Sequence, residues 1–154
     1  MALLEKGTKA PDFKGFNQDN KLISLSDFKV KKLILYFYPK DNTPGCTSEA
    51  CNMSDNYAVW QKKGYEIVGI SPDTVASHKK FAEKYGFNFD LLSDPEHVIL
   101  EAYGVWAEKN MYGRKYMGVL RTTYIIDENG IISDVFAKVK TNDHSNQILK
   151  SLEK

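Results

Sequence analysis

Apolar and polar positions along this chain change period from block to block, and each change predicts an element. Leu33-Ile34-Leu35-Tyr36-Phe37-Tyr38 is a nearly unbroken apolar run that stops at Pro39, the pattern of a strand covered on both faces. From Pro44 to Lys63 the spacing becomes helical. Cys46, Ala50, Met53, Tyr57 and Trp60 fall on one face, and Gly64 is placed to close the helix. Tyr65 to Ser71 predicts a second buried strand, Val75 to Tyr85 a helix ended by Gly86, and Phe89 to Leu92 a short strand. Asp94-Pro95-Glu96 opens a shorter helix reaching Tyr103. Thr122 to Ile126 and Ile131 to Phe136 flank Asp127-Glu128-Asn129-Gly130, a hairpin turn. A last helix is expected from Asp143 to Leu152. Leu22 to Leu25 reads as a short strand and the stretch before Asn20 as loop. Residues 104–118 read as an aromatic-rich loop. Strands alternating with helices, followed by a hairpin and a helix, predict an α/β fold with a mixed central sheet flanked by helices.

Composition narrows the function classes. At 154 residues, the chain 1–154 suits one domain with a core that needs no disulfide staples. A net charge of +1 gives no reason to expect nucleic acid or an acidic membrane as partner. No apolar run approaches the roughly 20 residues of a membrane helix, and the first residues lack a secretory pattern. The expected compartment is therefore the reducing cytoplasm, where two cysteines point to catalysis or metal binding before a structural bridge. Arg114 and Arg121 are the only arginines.

Both cysteines lie in Tyr38-Pro39-Lys40-Asp41-Asn42-Thr43-Pro44-Gly45-Cys46-Thr47-Ser48-Glu49-Ala50-Cys51, directly after the strongest strand signal. Thr43 is placed as N-cap and Pro44 as first helical residue, so Cys46 falls in the first turn. Unpaired N–H groups and the helix dipole there favour thiolate over thiol, and thiolate is the nucleophile. The Thr43 hydroxyl lies within reach of whatever Cys46 attacks. The N–H groups of Gly45 and Cys46 are oriented to hold developing negative charge, and Pro39 shields the turn from water. Inert packing is the competing reading of the cysteines, but it explains neither the Thr-Pro-Gly helix start nor the second thiol. The spacing fits neither a zinc site nor a C-x-x-C oxidoreductase, and the three scattered histidines read as solvated or hydrogen-bonded side chains. Two helical residues five apart have α-carbons about 8–9 Å apart, beyond the roughly 7 Å a disulfide tolerates. A bond between Cys46 and Cys51 therefore requires the first turns to unwind. Arg121, just before an apolar strand, is either a surface charge or a cation facing the sulfur. Glu49 is either an exposed helix charge or a carboxylate that orients an arginine.

The pattern Pro39-x-x-x-Thr43-x-x-Cys46 resembles the active-site motif of the peroxiredoxins. The longer string through Cys51 is similar to the subgroup called bacterioferritin comigratory protein or peroxiredoxin Q. Further matches include Ala10-Pro11-Asp12-Phe13, Gly69-Ile70-Ser71-Pro72-Asp73, Leu91-Leu92-Ser93-Asp94-Pro95 and Arg121-Thr122-Thr123-Tyr124. The resemblance implies a thioredoxin-like fold and reduction of hydroperoxides without metal, haem or flavin. It implies Cys46 as peroxidatic cysteine, Cys51 as resolving cysteine, and Thr43 and Arg121 as polar partners of the peroxide. Pro39 and Gly45 line and support the pocket, and Glu49 joins the arginine network. A thioredoxin-like dithiol is the implied reductant. The local cysteine pair needs no second subunit, so a monomer is expected, with a weak dimer as the alternative. A redox sensor, or a disulfide oxidoreductase with little peroxidase turnover, are the rival functions. The stretch 107–118 departs most from the family pattern.

Overall fold

The computed structural model describes residues 3–152. In chain order its elements are β1 (Lys14–Phe16), β2 (Leu22–Ser24), a 3₁₀ turn (Leu25–Phe28), β3 (Lys32–Phe37), α1 (Pro44–Asp55), α2 (Tyr57–Lys62) and β4 (Tyr65–Ser71). There follow α3 (Val75–Tyr85), β5 (Asp90–Ser93), α4 (Val98–Ala102), β6 (Trp106–Met111), β7 (Arg114–Val119), β8 (Thr122–Ile126), β9 (Ile132–Phe136) and α5 (His144–Leu152). Seven strands form one mixed sheet in the order β2-β1-β5-β4-β3-β8-β9, and β6 and β7 pair separately. β3, β4 and β5 run parallel, and β8 runs antiparallel to β3.

The two-residue period of β3 divides the interior. Leu33, Leu35 and Phe37 enter one cluster with Val68, Leu100, Tyr103 and Tyr124. Ile34, Tyr36 and Tyr38 enter the other with Cys46, Met53, Trp60 and Ile148. The second cluster lies under α1, α2, α3 and α5, so the reactive segment is packed against the central strand. Gly69 pairs with Tyr36 across β3 and β4. A Cβ there would sit 2.7 Å from the Tyr36 ring, so the missing side chain makes room for it. Trp60 is wholly buried and its indole Nε1 donates to Ser145 Oγ at 3.1 Å, tying α2 to α5. Ser145→Ala would strand that N–H. A loss of roughly 1–3 kcal/mol in urea unfolding is expected, and an unchanged midpoint would show that the bond contributes nothing.

Three expectations are corrected. The helix read as continuous from Pro44 to Lys63 breaks at Asn56, whose Nδ2 donates to the Asn52 carbonyl at 2.8 Å. That is the carbonyl a continuing helix would offer to the backbone, and a side-chain donor that takes it interrupts the ladder. Residues 104–118 are not loop. β6 and β7 form a hairpin whose turn residues, Tyr112 and Gly113, have φ of 53° and 79°. Most of its side chains are at least partly exposed, so it carries no alternation to read, and Tyr-Gly is a weaker turn signal than Asn-Gly. Lys14–Phe16, expected as loop, pairs with Leu22–Ser24, but three residues are too few to show a period.

Candidate active site

The register of β3 and β8 builds the site. Phe37, the last residue of β3, pairs with Thr122, the first of β8. Antiparallel pairing therefore sets the segment entering β8 beside the one leaving β3. Arg121 belongs to the first, and the loop that starts α1 belongs to the second. The Arg121 guanidinium spans two acceptors there. Its Nη2 donates to Cys46 Sγ at 3.2 Å and its Nη1 to Glu49 Oε1 at 2.8 Å. Gly45 permits this close approach, because a Cβ there would lie 3.3 Å from Arg121 Nη2.

Cys46 is 1% exposed, and both cysteines are free thiols on α1. Cys51 is half-buried, and burial followed by the Asp55 charge raises its pKa. Helix geometry keeps the two sulfurs apart while α1 is intact. Pro44 opens α1 as expected, and Thr43 takes the extended N-cap conformation. Its hydroxyl does not cap the helix but donates to the Lys40 carbonyl at 2.9 Å. That bond occupies the hydroxyl proton and leaves the oxygen's lone pairs to accept from a substrate O–H. The first-turn N–H groups have no side-chain cap and no acceptor inside the helix. Pro39 is half-buried between the end of β3 and this loop.

A buried clasp fixes the loop. Asp41 Oδ1 accepts from the Tyr38 hydroxyl and Oδ2 from Ser77, both at 2.7 Å, and His78 Nδ1 lies 2.7 Å from Oδ2. The Asp41 N–H donates to Asp73 Oδ2 at 2.8 Å, and Ser71 donates to the same oxygen. Asp41, Asp73 and His78 offer ligand atoms within 4.8 Å of one another. These atoms are committed to hydrogen bonds that hold the loop to β4 and α3. Burial raises the Asp41 pKa, but the bonds from His78, Tyr38 and Ser77 outweigh it and bring the pKa below its ordinary value.

The electrostatics centre on Arg121. Burial opposes its charge, yet Cys46 and then Glu49 more than compensate and raise its pKa. Glu49 is wholly buried, the opposite of an exposed helix charge. Burial pushes its pKa up to about 7 against the lowering effect of Arg121. His144, also wholly buried, has its pKa pushed down to about 4, chiefly by burial. It is therefore neutral near pH 7, and its 3.8 Å approach to Glu49 Oε2 is not an ion pair. Lys109 on β6 is a second nearby cation. Burial and then Arg121 lower its pKa, while Cys46 raises it.

The structure thus brings together Cys46, Arg121, Glu49 and Gly45, with Thr43 at the N-cap position of the same helix and Pro39 closing the strand before it. Cys51 stays one and a half turns further along α1. His144, Lys109 and the Asp41–His78 clasp escaped sequence reasoning. No local motif marks the histidines, and Lys109 sits on the unrecognised hairpin.

Comparison with known proteins finds relatives along the whole chain. A model of the AhpC/TSA family matches residues 6–135. Peroxiredoxin Bcp of Bacillus subtilis is 43% identical over 150 residues, covering 97% of this chain and 96% of that protein. A solved Xylella fastidiosa PrxQ mutant superposes with a TM-score of 0.92 at 30% identity, covering 99% of this chain and 98% of that one. A Xanthomonas campestris bacterioferritin comigratory protein, studied for its alkyl peroxide reduction activity, gives a TM-score of 0.88 at 34% identity. The match covers 99% of this chain and 98% of that one. The likeness runs the length of the chain and includes the thioredoxin-like sheet that carries the reactive segment. The chain belongs to the AhpC/TSA family, among the Bcp or peroxiredoxin Q peroxiredoxins.

Proposed function

We propose that Cys46 is the sulfur at which this thiol-dependent peroxidase reduces its substrate, hydrogen peroxide or an organic hydroperoxide. One observation carries the reading. The Cys46 sulfur sits at an uncapped helix start with a guanidinium 3.2 Å away. A charge-assisted hydrogen bond there stabilises the thiolate. The thiolate attacks the terminal peroxide oxygen, the O–O bond breaks, and the leaving oxygen takes the electron pair and a proton as water or alcohol. Cys46 is left as a sulfenic acid. Thr43 accepts from the peroxide O–H, and Arg121 and the N–H groups of Gly45 and Cys46 hold the charge moving onto oxygen. Glu49 orients Arg121, and Pro39 limits water. The first turns of α1 then unwind, and the Cys51 thiol condenses with the sulfenic acid, forming a disulfide and releasing water. A thioredoxin-like dithiol restores both thiols by exchange.

The alkyl peroxide activity studied in the Xanthomonas protein supports including organic hydroperoxides. Residues 1–154 act as one domain, without metal, haem or flavin. Both thiols lie on one helix of one chain, which supports a monomer. The composition and the absence of any membrane-length apolar helix among the described residues are compatible with the cytoplasm.

The deciding experiment follows peroxide consumption coupled to thioredoxin, its reductase and NADPH. Sustained turnover is expected. A single equivalent consumed would favour a redox sensor, and reduction of a protein disulfide without peroxide would favour a disulfide oxidoreductase. Cys51→Ser should leave the first attack at its parental rate and stall recycling. Intact-mass measurement would then find sulfenic and sulfinic acid accumulating on Cys46, and normal recycling in this variant would remove Cys51 from the cycle.

A further inference from the structure

The reaction leaves one requirement unassigned. A thiolate that opens a hydroperoxide generates an alkoxide or hydroxide, which must gain a proton. Behind Arg121 the structure holds an arrangement that is incomplete without one. Glu49 Oε1 accepts from Arg121, but no donor among the described residues reaches Oε2. His144 Nε2 lies 3.8 Å from Oε2. The neighbours of His144 fix its tautomer. Gln147 Nε2 donates to the Lys138 carbonyl, and Gln147 Oε1 accepts from the Lys140 N–H. Oε1 is therefore an acceptor, and His144 Nδ1, 2.8 Å from it, carries a hydrogen. Nε2 is then a lone pair, accepting from the Thr123 hydroxyl at 2.8 Å. A carboxylate oxygen without a donor would face a nitrogen without a hydrogen, both wholly buried.

We propose that Glu49 and His144 together hold one proton behind Arg121 while Cys46 is a thiolate, and release it when peroxide takes the charge off the sulfur. This rests on the role given to Cys46 above. One guanidinium serves two acids. With the sulfur ionised, an ionised Glu49 would leave a buried excess of negative charge, so the carboxyl stays protonated. Once the sulfur is a neutral sulfenic acid, the whole Arg121 charge turns to Glu49, which ionises. The other groups near this centre are Tyr36 from β3, a buried phenol whose pKa is raised by burial, then by Glu49 and Cys46, and Lys109 from β6. Neither serves Glu49: the phenol holds its own proton, and Lys109 acts on Arg121 and Cys46, while Arg121 is the cation that bears on the carboxyl. The pKa directions agree, with Glu49 up at about 7 and His144 down at about 4, so between those values the proton sits on the carboxyl.

The balance is complete. The S–O bond forms as the O–O bond breaks, sulfur loses two electrons and the peroxide gains them. The terminal OH stays on sulfur. The leaving oxygen takes a proton as the Glu49–His144 pair gives one up, so little net proton is drawn from solvent. Glu49 acts through Arg121 and is a positioning residue with a proton-linked duty.

The test uses the Cys51→Ser background, in which a single equivalent of peroxide takes the sulfur to sulfenic acid and no disulfide follows. Ultraviolet thiolate absorbance, followed beside the infrared carboxyl band, first locates a pH at which Cys46 is ionised and Glu49 is not. One equivalent of hydrogen peroxide is then added in weak buffer with a pH indicator. With Glu49 intact, uptake well under about half a proton per sulfur is expected, and with Glu49→Gln about one. Infrared difference spectra of the background protein should show a neutral carboxyl band lost on oxidation, a readout that needs no change at Glu49. Equal proton uptake in both proteins, an unchanged carboxyl band, or the absence of any pH at which an ionised sulfur and a neutral carboxyl coexist overturns the proposal. Sulfenic acid forming with a full proton drawn from solvent defeats this proposal alone. No sulfenic acid on Cys46 defeats the reading of Cys46 itself.

Discussion

Cys46→Ser is expected to abolish peroxide consumption in the coupled assay, a fall of at least about four orders of magnitude. The replacement removes the reactive atom and little else. Serine keeps nearly the same shape in a position that is 1% exposed, so α1 and its packing against Tyr36, Met53 and Trp60 should survive. A hydroxyl at this position ionises far less readily than a thiol and is a poor nucleophile toward an O–O bond, so neither the Arg121 guanidinium nor the open helix start can rescue it. The melting temperature measured beside the activity separates lost chemistry from lost fold. A folded variant that still turns over peroxide at the parental rate would remove Cys46 from the mechanism.

Arg121→Met should cost about 10²–10³-fold in the rate of sulfenic acid formation, comparable to removing one preorganised charge-stabilising donor. Two losses combine. The sulfur loses its 3.2 Å donor, and Glu49 loses its 2.8 Å partner inside the core. Arg121→Lys should recover only part of the rate, because an ammonium is one point charge and cannot span two acceptors as the planar fork does. The same variant should show an altered pH dependence of stability. Glu49 has an ordinary pKa of 4.5 and a folded value of about 7. The folded state therefore binds the extra proton. This contribution is fully present below about 4.5 and is lost as pH rises through the folded pKa. Without Arg121 the folded pKa rises further, so Arg121→Met should go on losing stability above about pH 7, where the parent's loss is ending, while the two fall alike near pH 5. Parallel stability curves for the two proteins would show that the guanidinium does not support Glu49.

Where side chains report their burial by type, the chain could be read in advance. β3, β4 and β8 are buried along nearly their whole length, and an apolar run is the direct consequence. α3 ends at Gly86, whose φ of 69° is the left-handed conformation that a glycine announces. The hairpin β6–β7 escaped because strands exposed on both faces need no alternation. The break at Asn56 escaped because it depends on one amide choosing a carbonyl. In the site, the cysteine at a helix start is a local feature and was legible. The Arg121 position is not local. It follows from the pairing of Phe37 with Thr122, which no spacing encodes, and both of its readings therefore stayed open. Glu49 keeps two readings in the sequence, exposed charge or arginine partner, because its burial depends on a strand and a helix that arrive more than seventy residues later. The Thr43 hydroxyl was placed correctly in the chain but turned to Lys40, since the backbone of the loop decides which acceptor is nearer.

The interruption at Asn56 bears on how such a protein survives its own cycle. If Cys46 and Cys51 join as proposed, part of a helix is dismantled at each turnover, and that needs a limit on how far the damage runs. In one continuous helix, fraying from the Cys46 end would weaken every turn down to Trp60 and loosen the indole's anchor on α5. Here the ladder of bonds is already cut after Asp55, and α2 starts afresh with its own hold on the interior. On the proposed cycle α1 is left to come apart and re-form, while α2 stays as the template on which it is rebuilt.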